Sequence, residues 1–158
     1  MGNKSDDDIK QDMWTAMADS PYVMVGLEGD GQHSEPMMAQ LDPDAHGEFW
    51  FYTKKDNRIA PGGKAMAQFV SKGHRLYACI AGTLVEETDP AVIDRYWNKQ
   101  VEAWFDGGRN DPALKMMRFE LGTAEIWEAD TSLSGKFKML TGQTIKPQEA
   151  GSHAEVAL

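Results

Sequence analysis

Four consecutive aromatic residues at positions 49–52 constrain the fold of this chain more than any other stretch. A run of four large apolar side chains predicts a strand that is buried on both faces. Thr53 and the basic segment 54–58 follow, and residues 61–63 (Pro-Gly-Gly) then break the chain. A strand that delivers a hydroxyl, two lysines and an arginine to one short turn can hold a phosphate, because these cations donate charge-assisted hydrogen bonds. The alternative interpretation is a solvated basic turn that follows a core strand.

Composition and charge favour a single acidic globular domain. The 158 residues are 41% hydrophobic, which fits one domain, predicted at residues 1–142, with a C-terminal tail at 143–158. The net charge of −9, from 25 acidic and 16 basic residues, argues against a nucleic-acid partner and against an anionic membrane surface. Any anion site must therefore be a local basic patch on an acidic protein.

Cysteine, histidine and apolar residues bear on the compartment and on metals. The single Cys79 excludes an internal disulfide and fits a reducing compartment. We find no signal peptide and no apolar run of about 20 residues, so we expect a cytoplasmic protein without a membrane partner. The four scattered histidines show no metal-ligand spacing, and no metal site is predicted. Motifs of nucleotide-binding loops and catalytic triads are also missing, so no catalytic residue is assigned.

The N-terminal half predicts a helix followed by antiparallel strands. Ser5 and three aspartates precede apolar residues at helical spacing, which indicates an amphipathic helix that ends near Ser20. The connections between the strands predicted at 22–27, at 34–41 and over the aromatic run are too short for parallel crossovers. A second hairpin is predicted to join 65–71 to 75–80 through a two-residue Lys72-Gly73 turn, with a bulge at Gly82.

The C-terminal half predicts one helix and one long strand. Asp89-Pro90 begins a helix whose aromatic stripe continues to residue 105. This stripe is either core, or its end at Trp104 and Phe105 closes over a ligand or a partner subunit. The strand predicted at 114–127 is expected to be interrupted at Gly122-Thr123. Residues 136–140 are expected to dock on the domain, and the last ten residues to fray.

The chain resembles the pyridoxamine 5'-phosphate oxidase-like family of split barrels. The resemblance rests on a capping helix followed in order by V-M-V-G-L-E-G-D-G, E-P-M-M-A-Q-L-D, F-W-F-Y-T and Y-A-C-I-A-G-T-L. The bacterial general stress protein branch is similar in Y-W-N-K-Q-V-E-A-W-F-D-G-G-R-N-D-P and in A-E-I-W-E-A-D. Together these segments cover roughly residues 8–142.

This resemblance implies a mainly β (α+β) fold, a six-stranded antiparallel split barrel with flanking helices. It also implies a homodimer with FMN bound at the subunit interface. The flavin would lie against residues 36–40, and basic residues of the turn after the aromatic strand would hold its phosphate. The cofactor-binding residues assigned from the resemblance and from the motifs above are Met37, Met38, Ala39, Tyr52, Thr53, Lys54, Arg58, Lys64 and Trp104.

Glu35 departs from the family pattern. Relatives often carry arginine just before the Pro-Met pair, and a carboxylate cannot donate a hydrogen bond to a phosphate. Either Lys54, Lys64 and Arg58 compensate, or FMN binds weakly, or another ligand takes its place. The expected function is that of a flavin-dependent oxidoreductase of unknown substrate linked to the stress response. The alternatives are a non-catalytic protein that stores or senses a flavin, and a structural relic that binds nothing.

Overall fold

The chain begins with a capped amphipathic helix. The structure, a computed structural model, describes residues 4–29, 31–42, 44, 47–129 and 151–158. Helix α1 spans Asp6–Asp19, and the Ser5 hydroxyl accepts a hydrogen bond from the Asp8 amide at 3.2 Å. The Asp8 carboxylate accepts from the Ser5 amide in return, which completes a capping box. The predicted helix is confirmed, and its apolar stripe of Ile9, Met13, Trp14 and Met17 is buried. Among the described residues, no helix is long and apolar enough to cross a membrane.

In the part of the chain that the structure describes, seven antiparallel strands form one sheet that curves into a split barrel. They are β1 (Tyr22–Leu27), β2 (Glu35–Met38), β3 (Glu48–Lys54), β4 (Gly63–Val70), β5 (Leu76–Glu87), β6 (Leu114–Ala129) and β7 (Gly151–Ala157). Six of them follow the order β2-β1-β4-β5-β6-β3. A single bridge between Gln40 and Trp50 joins the two ends of this path, through backbone bonds of 2.7 and 3.0 Å. Because one bridge does not make a continuous ladder between the β2 end and β3, the barrel is split at this position. The predicted fold class is confirmed.

The seventh strand corrects the expectation that the last ten residues fray. Strand β6 pairs with β5 along its length, while β3 and β7 share its other edge. Residues 151–157 pair with residues 123–129, the C-terminal half of β6. Without β7, this half would have an unpaired edge, because β3 pairs only with the N-terminal half. The interruption expected at Gly122-Thr123 is also wrong, since β6 continues through it. The register shifts there against Ala81 and Gly82, so the strand accommodates an extra residue as a bulge.

The aromatic strand β3 is buried on one face only. Phe49, Phe51 and Thr53 point into the core, and the Phe49 ring stacks on Phe119 at a centroid distance of 4.8 Å. Trp50 and Tyr52 lie on the other face and are half-buried. The prediction of burial on both faces is therefore wrong, because side chains alternate along a strand.

Aromatic residues from the next helices partly cover the outer face of β3. Helix α2 spans Pro90–Tyr96 and α3 spans Lys99–Glu102. The Tyr96 ring stacks on Trp50 at 5.1 Å, and Trp97 meets Tyr52 edge-on at 5.6 Å. The single helix predicted to run to residue 105 is wrong. Trp97 has an extended backbone, and the Asn98 side chain accepts a hydrogen bond from the Val101 amide to start a new helix.

The turn between β4 and β5 is longer than the sequence predicted. The Ser71 amide donates to the Leu76 carbonyl, which leaves four residues, 72–75, in the loop. The buried Ser71 hydroxyl accepts from the amides of Arg75 and Leu76, and His74 adopts a φ of 60°. This side-chain bond stabilises the wider turn. The ladder has a bulge beside Gly82 as predicted, but the extra residue is Gly122 on β6. The segment 136–140 and the boundary near residue 142 lie outside the described residues.

Candidate anion-binding site

A polar groove lies where β3 leaves the barrel. The cavity has a volume of about 720 Å³, and its walls come from the segment 55–61, from the residues before and at the start of β2, and from Lys115 on β6. Lys55, Arg58 and Lys115 supply three positive charges to it, against the two carboxylates of Glu35 and Asp56. Three cations minus two carboxylates leave a net charge of +1, on a protein whose total charge is −9. The groove is therefore a local basic island.

A series of tight turns shapes the segment that carries two of these cations. The Asn57 carboxamide oxygen accepts from the Ile59 amide at 2.9 Å, and the Ile59 side chain is fully buried. Gly62 closes the series with a φ of +72°, and a Cβ there would lie 2.7 Å from the Leu84 carbonyl oxygen. Because the buried isoleucine and the glycine contact anchor this short segment, Lys55 and Arg58 have a defined position on the groove wall.

Arg58 is already engaged by groups of this chain. Its Nε lies 3.4 Å from a carboxylate oxygen of Glu35, and its Nη1 donates to the His33 carbonyl at 2.8 Å. The other Glu35 oxygen is buried and has no hydrogen-bond partner among the residues that the structure describes. Glu35 therefore faces the groove, and it competes with any anion for the guanidinium of Arg58.

Lys115 approaches the groove from a different strand. It is the register partner of Thr53 across the β3–β6 ladder, and its ammonium donates to the Ala60 carbonyl at 2.7 Å. A carboxylate oxygen of Glu86 lies 3.9 Å away. The Lys55 amide also bonds to this region, through the Ala113 carbonyl at 2.9 Å. The start of β6 thus fixes both the lysine and the turn opposite it.

The structure does not bring together all three residues expected to hold a phosphate. Thr53 and Lys54 belong to β3, so the basic turn begins at Lys55. Thr53 is 5% exposed and Lys54 is exposed, as expected for neighbours that point to opposite faces of a strand. Of these three, only Arg58 lines the groove. The expectation that the Thr53 hydroxyl and Lys54 are delivered to the same turn as Lys55 and Arg58 is wrong for this reason.

The other assigned residues do not line the groove. Met37 and Met38 are half-buried on β2, and Ala39 is buried just after it. The Tyr52 hydroxyl donates to the Ile93 carbonyl, and burial raises the pKa of this phenol. Lys64 is exposed on β4, and the Trp104 side chain is 76% exposed. Their assignment as cofactor ligands stays a prediction.

Sequence reasoning included Lys55 among the cations of the turn, although not among the assigned cofactor-binding residues, and it missed Asn57 and Lys115 as lining residues. Asn57 lies inside the segment that the sequence identified, and its turn-forming side chain was the signal that could have found it. Lys115 carried no such signal, because its position depends on the pairing of β3 with β6. An expected antiparallel ladder between these two strands would have been the only indication.

Comparisons with known proteins agree with this fold. A family model described as pyridoxamine 5'-phosphate oxidase like matches residues 8–148. No curated protein matches the chain. A general stress family protein from Xanthomonas campestris has 41% identity and a TM-score of 0.74, over 82% of this chain and 93% of that one. A general stress FMN/FAD binding protein from Xanthomonas citri has 41% identity and a TM-score of 0.73, over 80% and 93%.

A third structure is similar along almost the whole chain. The general stress protein 26 from Jannaschia has 29% identity and a TM-score of 0.81, over 98% of this chain and 100% of that one. The family model covers the helix, the barrel strands that precede β7 and the groove. On this evidence the chain belongs to the pyridoxamine 5'-phosphate oxidase-like family.

Proposed function

We propose that the protein binds FMN, with the phosphate seated in the groove among Lys55, Arg58 and Lys115. The observation that carries the proposal is the cluster of three cations on a groove of an otherwise acidic protein. A terminal phosphate carries about −1.5 to −2 charges and accepts several charge-assisted hydrogen bonds, so this donor set fits it. The FMN/FAD-binding relative from Xanthomonas citri supports a flavin as the ligand.

The residues of the chain would bind and orient the cofactor. Arg58 presents a planar guanidinium that can engage two phosphate oxygens, while the two lysines act as point charges on either side. Glu35 opposes this binding and sets the affinity below what three unopposed cations would give. A bound flavin supplies hydride or electron transfer, and the protein contributes position and electrostatics. We therefore propose a flavin-dependent oxidoreductase, and a non-catalytic flavin store or sensor is the second candidate.

We also propose a homodimer, built on an exposed apolar face of the sheet. Val70, Tyr77 and Trp127 are successive register partners on β4, β5 and β6, and each is 43–46% exposed. Tyr22 and Met24 extend the same apolar surface on β1, at 59% and 41% exposed. A row of large apolar side chains across four strands is typical of protein interfaces.

We propose a cytoplasmic location, because a single cysteine fits a reducing compartment.

Absorbance spectroscopy tests the flavin proposal. The purified protein is titrated with FMN and, separately, with riboflavin, which lacks the phosphate. We expect Arg58→Ala to weaken FMN binding by about 10- to 150-fold, the value of one charged hydrogen bond, and to leave riboflavin binding unchanged. Lys54→Ala is the matched control, because its cation lies on the same segment but outside the groove lining. An equal loss for both ligands, or no loss for either, would contradict the phosphate seat.

Reduction of the bound flavin separates the enzyme from the store. Bleaching of the flavin absorbance by a nicotinamide donor, followed by reoxidation, supports the oxidoreductase. A bound flavin that no donor bleaches supports the store or sensor.

Light scattering at micromolar concentration tests the dimer. Tyr77→Asp, at the centre of the apolar row, should convert a dimer mass to a monomer mass. A monomer mass for the unmodified protein would contradict the proposal.

A further inference from the structure

We propose that Glu125, His153 and Glu155 form a binding site for a divalent transition-metal ion, on the outer face of β6 and β7. One ligand atom of each residue lies within 4.8 Å of the ligand atoms of the other two. The set is one imidazole nitrogen and two carboxylate oxygens, a donor combination found in zinc sites and suited to other first-row divalent ions. This cluster lies on the half of β6 that pairs with β7, whereas the anion groove lies beside the half that pairs with β3.

The strand register places the three donors on one face. Glu125 and Glu155 are direct partners across the β6–β7 ladder. His153 precedes Glu155 by two residues, so its side chain shares that face. Since the backbone hydrogen bonds of the ladder fix this register, the donors are brought together by the sheet itself rather than by a flexible loop.

The histidine ring is held in a position suited to a ligand. It stacks on the Trp127 ring at a centroid distance of 5.3 Å and an interplanar angle of 27°. Its Nε2 lies 3.0 Å from a carboxylate oxygen of Glu125. Trp127 is also the register partner of His153, so the stacking follows from the same ladder. The ring therefore needs only a small change to exchange its contact with Glu125 for a shared ion.

Electrostatics favours a cation at this point. Like charges placed directly opposite each other on neighbouring strands are destabilising, and Glu125 and Glu155 are such a pair. A divalent ion between them removes this repulsion. The side chains of His153 and Glu125 are 45% and 42% exposed in the single chain, so an ion can reach the site, which borders the apolar row proposed as the dimer surface. Three protein ligands leave at least one coordination position for water or another ligand.

The spacing of histidines along the chain gave no indication of this site. Glu125 and His153 are separated by 28 positions and meet only through strand pairing. The four-ligand patterns by which metal sites are recognised in a sequence do not apply to such a cross-strand set.

Metal titration of the chelator-treated protein tests the proposal without any flavin. We expect one Zn²⁺ per chain by calorimetry, and Co²⁺ binding that quenches the fluorescence of the adjacent Trp127. His153→Gln and Glu155→Gln should each weaken Zn²⁺ binding tenfold or more. His74→Gln is the matched control, since it removes an exposed histidine from the loop between β4 and β5. Because the ion would join β7 to β6, Zn²⁺ should also raise the Tm of the unmodified protein but not that of His153→Gln.

A thiolate is the main competitor for the ion. Cys79 lies on β5, where it is the register partner of Glu125, and its thiolate is a zinc ligand in its own right. Cys79→Ser should retain Zn²⁺ binding if the proposed ligands are correct. Loss of binding in Cys79→Ser together with full binding in His153→Gln would overturn the proposal. So would the absence of Zn²⁺ binding by the unmodified protein at millimolar concentration.

Discussion

Neutralising Glu35 is expected to tighten FMN binding. Glu35→Gln keeps the shape of the side chain and an oxygen that can accept from Arg58, but removes the negative charge from the groove. The Glu35 and Arg58 side chains are 24% and 39% exposed, so their ion pair is partly solvated. A pair of this kind contributes about 0.2–1 kcal/mol, which an incoming phosphate must otherwise offset.

The direct repulsion adds to this value. Two charges on the phosphate and one on Glu35, at about 6 Å and with the dielectric constant of water, repel by about 1.4 kcal/mol. The sum is about 1.5–2.5 kcal/mol, or roughly a 10- to 60-fold decrease in the Kd for FMN. Salt should reduce the difference, because the groove is open to solvent.

Fluorescence quenching of the flavin at fixed ionic strength measures this change. Riboflavin is titrated in parallel, and its Kd should not change. Glu120→Gln is the matched control, since Glu120 lies 3.7 Å from Arg118 in another partly exposed pair outside the groove lining. An unchanged or larger Kd for FMN in Glu35→Gln would refute the reasoning. An equal change for riboflavin would show that the substitution alters the ring pocket instead.

Three further substitutions test the fold and the proposed interface. Gly82→Ala places a Cβ 2.2 Å from the Glu120 carbonyl oxygen, so urea denaturation should show a loss of about 3 kcal/mol, whereas Gly47→Ala, with open space around it, should be nearly neutral. Burial opposes ionisation of Glu87, but hydrogen bonds from Trp50, the Asp89 amide and Arg118 lower its pKa overall. The ionised Glu87 side chain therefore contributes about 1–3 kcal/mol to the free energy of unfolding. This contribution is fully present above the pKa of glutamate in the unfolded chain, about 4.3, and is lost as the pH falls through the lower pKa of the folded protein. The loss of stability caused by Glu87→Gln, measured by denaturation, should therefore be smaller at pH 3 than at pH 7. Trp104→Ala should leave both the denaturation midpoint and the dimer mass unchanged, because the residue is 76% exposed and lies outside the apolar row proposed as the dimer surface, and a monomer mass for this variant would assign Trp104 to the interface instead.

The sequence predicted the elements whose signals are local. The Ser5 cap and the Asp89-Pro90 helix start were correct, because each depends on a few adjacent residues. The boundaries of β1 were also correct, since a turn signal follows that short apolar run. These features needed no knowledge of distant parts of the chain.

The errors arose where two local signals competed. The aromatic periodicity from residue 93 to 105 favoured one helix, but the Asn98 side chain offers the backbone a cap that starts a second one. Gly73 suggested a two-residue turn, but the Ser71 hydroxyl stabilises a wider one. In each case a single polar side chain outweighed a hydrophobic or glycine pattern.

The candidate site could be located but not assembled from the sequence. The basic segment after the aromatic strand was identified correctly as the region of the groove. Lys115 and the pairing of Glu35 with Arg58 depend on contacts between residues far apart in the chain. Such contacts follow from the order of strands in the sheet, which local periodicity does not determine.

The pairing of β7 with the far half of β6 has a consequence for how the protein resists aggregation. Residues 123–129 alternate between buried Ala124 and Ile126 and the exposed Trp127, and their backbone bonds are satisfied only by β7 on that edge. If β7 detached, the unpaired backbone of this edge would offer an open template for a strand of another molecule. The seven residues of β7 therefore protect this edge against pairing with strands of other molecules. The polar side chains of His153 and Glu155 on β7 make the addition of a further strand to β7 itself unfavourable.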